Sequence, residues 1–311
     1  MKIVFMGTPD FALVSLEALY EAGHEITAVV TQPDRPKGRK KEPVFSPVKE
    51  YALSKGLTLL QPERIRDEEW IERLSDVGAD LFVVAAFGQI LPKKILDMPR
   101  FGCINLHASL LPEYRGAAPI QQAILDGKKV TGVTIQQMSE KLDAGDIIAM
   151  KETPIGEEET GGELFDRLSV LGAGLLTETI PLIESGNIDP RPQDESRSTY
   201  VKMLKKEDGH LDFNLSAPEL YNRIRGLDPW PGAYVSAGSS KLKIWKSRAL
   251  ASENRTETPG TVIAAAKDGI DVVCAGGGIL RITQLQAEGK KRMAAADYLR
   301  GNAIENGTVF S

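Results

Sequence analysis

Five short apolar runs punctuate the first third of the chain: Ile3 to Met6, Ile26 to Val30, Leu57 to Leu60, Leu81 to Ala85 and Cys103 to Leu106. Each has the length and residue type of a strand, and helical candidates lie between them. Asp10 to Ala22 sets Phe11, Val14 and Leu19 near one helical face, and Asp10 follows a Gly-Thr-Pro turn as a capping candidate. Strand, helix, strand in this order predicts a parallel sheet covered by helices on both faces. Such a sheet places its functional site at the carboxyl ends of the strands.

The pattern changes after Val130. Two close strand candidates, Gly132 to Gln137 and Asp146 to Lys151, flank the segment Met138 to Gly145, and a long helix is expected from Glu163 to about Glu184. Ser185 to Thr199 is rich in Pro, Asp, Gln and Ser and lacks apolar periodicity, which suits a linker. Beyond it come a helix candidate, Ala217 to Leu227, a Pro-Trp-Pro-Gly turn, and strands at Lys241 to Trp245, Thr261 to Ala265, Asp271 to Cys274 and Ile279 to Gln284. A small β-barrel follows from that spacing. At 311 residues the chain exceeds what one core usually serves. The expected division is a first domain over 1–184, a linker over 185–205 and a second domain over 206–311.

No apolar run approaches the ~20 residues of a membrane helix. The N-terminal run is too short for a signal peptide and reads as the first strand. The two cysteines, Cys103 and Cys274, lie far apart and form neither a disulfide framework nor a paired zinc motif. A cytoplasmic location is expected, and nothing in the sequence demands an oligomer, so a monomer is expected too. The net charge of -5 argues against nucleic-acid binding by the whole surface, so charge must be read by region. Arg35, Lys37, Arg39, Lys40 and Lys41 fall together around Pro36 and Gly38, a basic loop rather than a helix face. From Lys206 onward Lys and Arg outnumber Asp and Glu by 14 to 12, so the second domain is the relatively basic one.

In Cys103-Ile104-Asn105-Leu106-His107, alternation puts Cys103, Asn105 and His107 on one strand face, with the two polar residues at the carboxyl end. A lone strand histidine is more often a satisfied core residue. Here it stands beside an amide donor and before a loop, Ala108 to Gly116, that mixes apolar and polar side chains as pocket loops do. Met138 to Asp146 adds a carboxylate, Asp143, between two strand candidates. It could orient His107, although an isolated Asp-x-Gly is usually a turn. Three histidines in all give no metal-ligand cluster, and no metal is expected. Gly7-Thr-Pro-Asp lacks the further glycines of a dinucleotide fingerprint.

Taken together, Asn105 and His107, the Ser109 to Pro112 loop and Leu142 to Asp146 resemble the formyltransferase family that uses 10-formyltetrahydrofolate. Gly7 to Phe11, Gln32 to Pro36, Arg115 to Gln121 and Pro229 to Gly232 extend the resemblance over nearly the whole chain. It implies a Rossmann-like α/β catalytic domain, with a largely parallel sheet flanked by helices, and an OB-like C-terminal barrel that binds tRNA. It implies Asn105, His107 and Asp143 as catalytic residues. Ser109, Leu110, Leu111 and Pro112 become a folate-contacting loop, with Phe87 to Leu91 as a second wall. The basic loop becomes a tRNA contact. The implied reaction carries formyl from 10-formyltetrahydrofolate to the α-amine of methionine on initiator tRNA. The alternative acceptor is a small amine such as an amino-sugar nucleotide, which leaves the basic loop unexplained.

Overall fold

Ile3, Val4, Phe5 and Met6 are all fully buried, as a strand covered on both faces requires. They form the centre of the first of two compact units in the computed structural model, which describes residues 1–37, 42–238, 240–251 and 255–311. Unit 1 holds Met1–Pro119, Val130–Pro154 and Phe165–Val201, and unit 2 holds Ile120–Lys129, Ile155–Leu164 and Lys202–Ser311.

The chain runs through β1 (Lys2–Gly7), α1 (Asp10–Glu21), β2 (Glu25–Val30), the short pair β3 (Arg35–Lys37) and β4 (Glu42–Val44), α2 (Pro47–Ser54), β5 (Leu59–Leu60), α3 (Glu68–Asp76), β6 (Leu81–Ala85) and α4 (Lys93–Leu96). It continues through β7 (Cys103–His107), β8 (Arg115–Gly116), α5 (Pro119–Leu125), β9 (Val130–Gln137), β10 (Ile147–Pro154), α6 (Gly161–Glu184) and β11 (Tyr200–Val201). Seven strands form one sheet in the order β10-β9-β7-β6-β1-β2-β5. β7, β6, β1, β2 and β5 run parallel, and β9 and β10 add an antiparallel hairpin beside β7. One face is packed by Leu74 of α3 and Ile95 and Leu96 of α4 over Val4, Met6, Phe82, Val84 and Cys103. On the other, Gly172 of α6 lies so close to Leu106 that a Cβ would sit 2.7 Å from its methyl, and Phe11 of α1 meets Phe165 of α6 edge to face.

The segment 185–205, expected as a linker, is laid against unit 1 up to Val201. Arg191 exchanges backbone hydrogen bonds with Ile147, and β11 pairs in parallel with β8. Polar side chains and single backbone bonds hold it, so apolar periodicity carries no trace of it.

Unit 2 contains α7 (Ala217–Gly226), β12 (Ala233–Ala237), β13 (Ser240–Leu250), β14 (Val262–Ala266), β15 (Gly269–Val273), β16 (Ile279–Ala287), β17 (Met293–Ala294) and α8 (Ala295–Leu299). The sheet is antiparallel, β12-β13-β16-β15-β14 with β17 on β16. The C-terminal residues meet both edges: Phe310 bridges Ala237 at the end of β12, and Val309 bridges Thr261 next to β14. These single bridges shield part of each edge strand, as a barrel-like sheet requires. Ser216 and Glu219 make a capping box that starts α7, whose Ala217, Leu220 and Ile224 complete the barrel core with Val235, Ile244 and Val272. No helix among the described residues is long and apolar enough to cross a membrane.

Candidate active site

Alternation along β7 puts Cys103, Asn105 and His107 on one face, and the strand ends at His107. The imidazole is buried, and its Nε2 lies 2.9 Å from the carbonyl oxygen of Tyr114. A carbonyl only accepts, so Nε2 carries a proton and Nδ1 is the nitrogen left for exchange. Tyr114 holds this position with φ +60°, a left-handed conformation rare for an aromatic residue.

Nδ1 faces Asp143, whose Oδ2 is 3.7 Å away. That oxygen accepts the Gly116 N–H at 2.8 Å, while Oδ1 accepts the side-chain amides of Gln136 at 3.1 Å and Asn105 at 3.4 Å. Asp143 is the second left-handed residue here, at φ +48°. Strain of this kind persists only where the surroundings over-determine it, and it concentrates at functional sites. Two glycines permit the approach. A Cβ on Gly116, itself at φ +108°, would sit 2.4 Å from the Val201 carbonyl oxygen, and one on Gly145 would sit 1.6 Å from that of Gln137. The structure thus brings Asn105, His107 and Asp143 to one place, a convergence that spacing alone leaves open.

Ser109, Leu111 and Pro112, which follow His107 in the chain, are buried, and Leu110 is half-buried. The Ser109 hydroxyl donates to the Glu113 carbonyl at 2.6 Å, and the Thr134 hydroxyl donates to the Ser109 carbonyl while accepting the Leu111 N–H. The loop is therefore pinned to β9 through Thr134. An open pocket of about 70 Å³ adjoins Asp143, lined by Gln89 to Leu91, Gln136 and Met138 to Asp143. It meets part of the expected second wall and the carboxylate segment. Ile90 and Leu142 in its lining are 76% and 55% exposed.

Several residues around the site carry no obvious signal in the sequence. Gln136 reaches Asp143 because β9 pairs antiparallel with β7 in a register that sets it opposite Asn105. Arg115 is the largest fully buried side chain among the described residues. Its guanidinium donates to both carboxylate oxygens of Glu195, at 2.8 and 3.0 Å, to Gln193 Oε1 and to the Tyr200 hydroxyl. The Glu195 carboxylate raises the Arg115 pKa, and Arg115 in turn holds the Glu195 carboxyl below the usual range. Arg115 stands out in sequence only as part of the Arg-Gly-Ala-Ala-Pro run.

Of the basic loop, Arg35 is exposed and opens the β3–β4 hairpin, and Lys37 ends β3. Arg39, Lys40 and Lys41 lie outside the described residues. The hairpin is rooted by Asp34, which accepts from the buried Lys49 ammonium at 2.5 Å and from Gln61 at 3.0 Å. Hydrogen bonding to Lys49 holds the Asp34 carboxyl below its ordinary range.

Cys103, which shares the site face, packs under α4 with its thiol directed at the Ile95 and Leu96 carbonyls. Burial pushes this thiol up to about 12, and Cys274 likewise. Both cysteines are expected to resist iodoacetamide at neutral pH in the native protein and to react once it is unfolded, a difference that mass spectrometry reads directly.

Comparison with known proteins agrees with this architecture. The family model for formyl transferase matches residues 1–180, and that for the formyl transferase C-terminal domain matches 203–303. A methionyl-tRNA formyltransferase of Lachnospira eligens is 53% identical over 100% of this chain and 99% of its own length. One from Bacillus subtilis is 53% identical over 99% and 97%. Among solved structures, an N-formyltransferase from Helicobacter canadensis in complex with folinic acid and dTDP-3-aminofucose superposes with TM-score 0.66 at 19% identity, covering 92% of this chain and 99% of that one. HypX from Aquifex aeolicus in complex with tetrahydrofolic acid gives 0.62 at 18%, covering 96% of this chain and 47% of that one. At these identities the two structures speak to the fold, whereas the two family models and the full-length relatives reach further: this chain belongs to the formyl transferase family.

Proposed function

We propose that this chain transfers the formyl group of 10-formyltetrahydrofolate to the α-amino group of methionine carried by initiator tRNA. The observation that carries the chemistry is the convergence of Asn105, His107 and Asp143 at the carboxyl end of β7. The acceptor is supported by the relatives, which are named for methionyl-tRNA at half identity over their full length.

The amine nitrogen attacks the formyl carbon and forms a new C–N bond. The carbonyl oxygen becomes negative, and collapse breaks the bond to N10, which leaves with a proton that began on the amine. Asn105 Nδ2 keeps one N–H free of Asp143 and donates it to that oxygen; such a donor is worth about 10²- to 10³-fold in rate. Since Nε2 of His107 is committed to Tyr114, Nδ1 carries the proton between the amine and the leaving nitrogen, and Asp143 offsets the charge of the doubly protonated ring. The tRNA contacts in this reading are Arg35, Lys37, Arg39, Lys40 and Lys41, where each phosphate contact steepens the salt dependence of binding.

In this reading the donor occupies the pocket beside Asp143, with Ile90 and Leu142 as its apolar wall, and Ser109, Leu110, Leu111 and Pro112 form a second, folate-contacting loop. Leu142→Ala is expected to raise KM for the folate about 10-fold, because the smaller side chain offers less apolar surface for the bound donor to cover, with kcat little changed. An unaltered KM in steady-state assays would move the donor elsewhere.

The deciding experiment offers labelled 10-formyltetrahydrofolate to purified protein with methionyl initiator tRNA in one arm and amino-sugar nucleotides in another. Formyl-methionyl-tRNA is the expected product. Transfer confined to the small amine would keep the chemistry and overturn the acceptor.

A further inference from the structure

The two strained residues of the site sit on different loops, yet one segment holds both. The Thr199 hydroxyl accepts the Tyr114 N–H at 2.7 Å, and the Thr199 carbonyl accepts the Arg115 N–H at 2.9 Å. Tyr114 is the residue whose carbonyl receives the His107 Nε2 proton. Six residues upstream, the Gln193 side-chain amide donates to the carbonyls of Asp143 at 2.9 Å and Gly145 at 2.7 Å and lies 3.3 Å from Gln136 Oε1. Those hydrogen bonds hold the left-handed turn at Asp143 at its own carbonyl and again two residues on. Arg115 joins the two ends, since its guanidinium holds Gln193 Oε1, Glu195 and Tyr200 together. Val201 completes the arrangement by accepting the Ala117 N–H at 3.0 Å beside Gly116, the donor to Asp143 Oδ2.

We infer that residues 193–201 act as a clamp that sets the distance and orientation between His107 and Asp143, with Thr199 positioning the imidazole through Tyr114 and Gln193 positioning the carboxylate through its own turn. Neither Thr199 nor Gln193 acts on substrate. The physical case rests on two conformations that are unfavourable for Tyr114 and Asp143 in isolation. Each needs fixed partners, and the clamp supplies a partner to each from one stretch of chain, tied internally by a buried guanidinium. Releasing one end lets its loop relax toward ordinary φ and moves one member of the His107–Asp143 pair relative to the other. A displacement of about 1 Å at a reacting group costs on the order of 100-fold in rate.

This inference rests on the proposed formyl transfer for its kinetic test but not for its structural one. Thr199→Val keeps the side-chain shape and removes the acceptor, Thr199→Ser keeps the acceptor, and Gln193→Glu removes the amide donors. Thr199→Val and Gln193→Glu are expected to lower kcat roughly 10- to 100-fold while KM for both substrates moves less than about twofold, and Thr199→Ser is expected to recover most of the loss. In parallel, 15N NMR of the three histidines follows the His107 tautomer. The wild-type protein should show Nε2 protonated, and Thr199→Val should mix the tautomers. Should Gln193→Glu fail to fold, Thr199→Val at its exposed position carries the test alone. Unchanged kcat and an unchanged His107 signature in Thr199→Val would overturn the clamp. So would losses that track a fall in Tm with KM rising in step, which mark a merely structural role. Absence of transfer to methionyl-tRNA by the wild-type protein would instead sink the proposed function, and the NMR comparison would still decide the clamp.

Discussion

His107→Ala and Asp143→Ala are each expected to lower kcat for formyl transfer by roughly 10²- to 10⁴-fold, and the double variant by little more than the worse of the two. The reason lies in how the pair is built. Nε2 of His107 is spent on the Tyr114 carbonyl, so the proton that moves is on Nδ1, and the group facing Nδ1 is Asp143. Without the carboxylate, the ring loses the charge that offsets its doubly protonated form. Without the ring, the carboxylate has nothing to assist. Single-turnover rates at saturating donor and charged tRNA, measured for both single variants and the double, test this. A double variant whose loss equals the product of the single losses would show that the two groups act independently, and the coupled pair would have to be abandoned.

Gly145→Ala is expected to be nearly as damaging although it removes no functional group. A Cβ at this position would lie 1.6 Å from the Gln137 carbonyl oxygen, a backbone atom of β9 that cannot swing aside. The 143–145 turn must therefore lift from the strand. In doing so it breaks the Gly145 N–H to Gln136 Oε1 bond and the Gln193 bonds to Asp143 and Gly145, and carries the Asp143 carboxylate away from Gly116. A loss of about 100-fold in kcat and roughly 2–4 kcal/mol in stability is expected. Urea unfolding and kcat measured on the same preparation separate the two effects. Full activity in this variant would mean that the turn adapts without moving Asp143, contrary to the geometry.

Much of the framework is legible without coordinates. The buried runs at Ile3 to Met6 and Leu81 to Ala85 emerge as strands of one parallel sheet because a strand covered on both faces is apolar throughout, and Cys103 to Leu106 departs from that only at Asn105, in the site. The barrel strands are less legible. β13 runs from Ser240 to Leu250, well past the expected Lys241 to Trp245, because beyond Trp245 it exposes Lys246 and Arg248 and buries only Ser247 between them. β5 shrinks to Leu59–Leu60 at the sheet edge, where pairing rather than composition sets strand length.

Local geometry suffices to say which side chains are available for chemistry and at which end of the sheet they stand: Asn105 and His107 share a face by alternation at the carboxyl end of a strand. Tertiary structure alone decided what those side chains meet. Asp143 arrives from 36 residues beyond His107, Gln136 through the register of β9 on β7, and Gln193 and Thr199 from a segment whose composition reads as a linker. The physical reason is that apolar burial writes a periodic signature into the sequence, whereas a polar contact made across the fold by a single side chain leaves none.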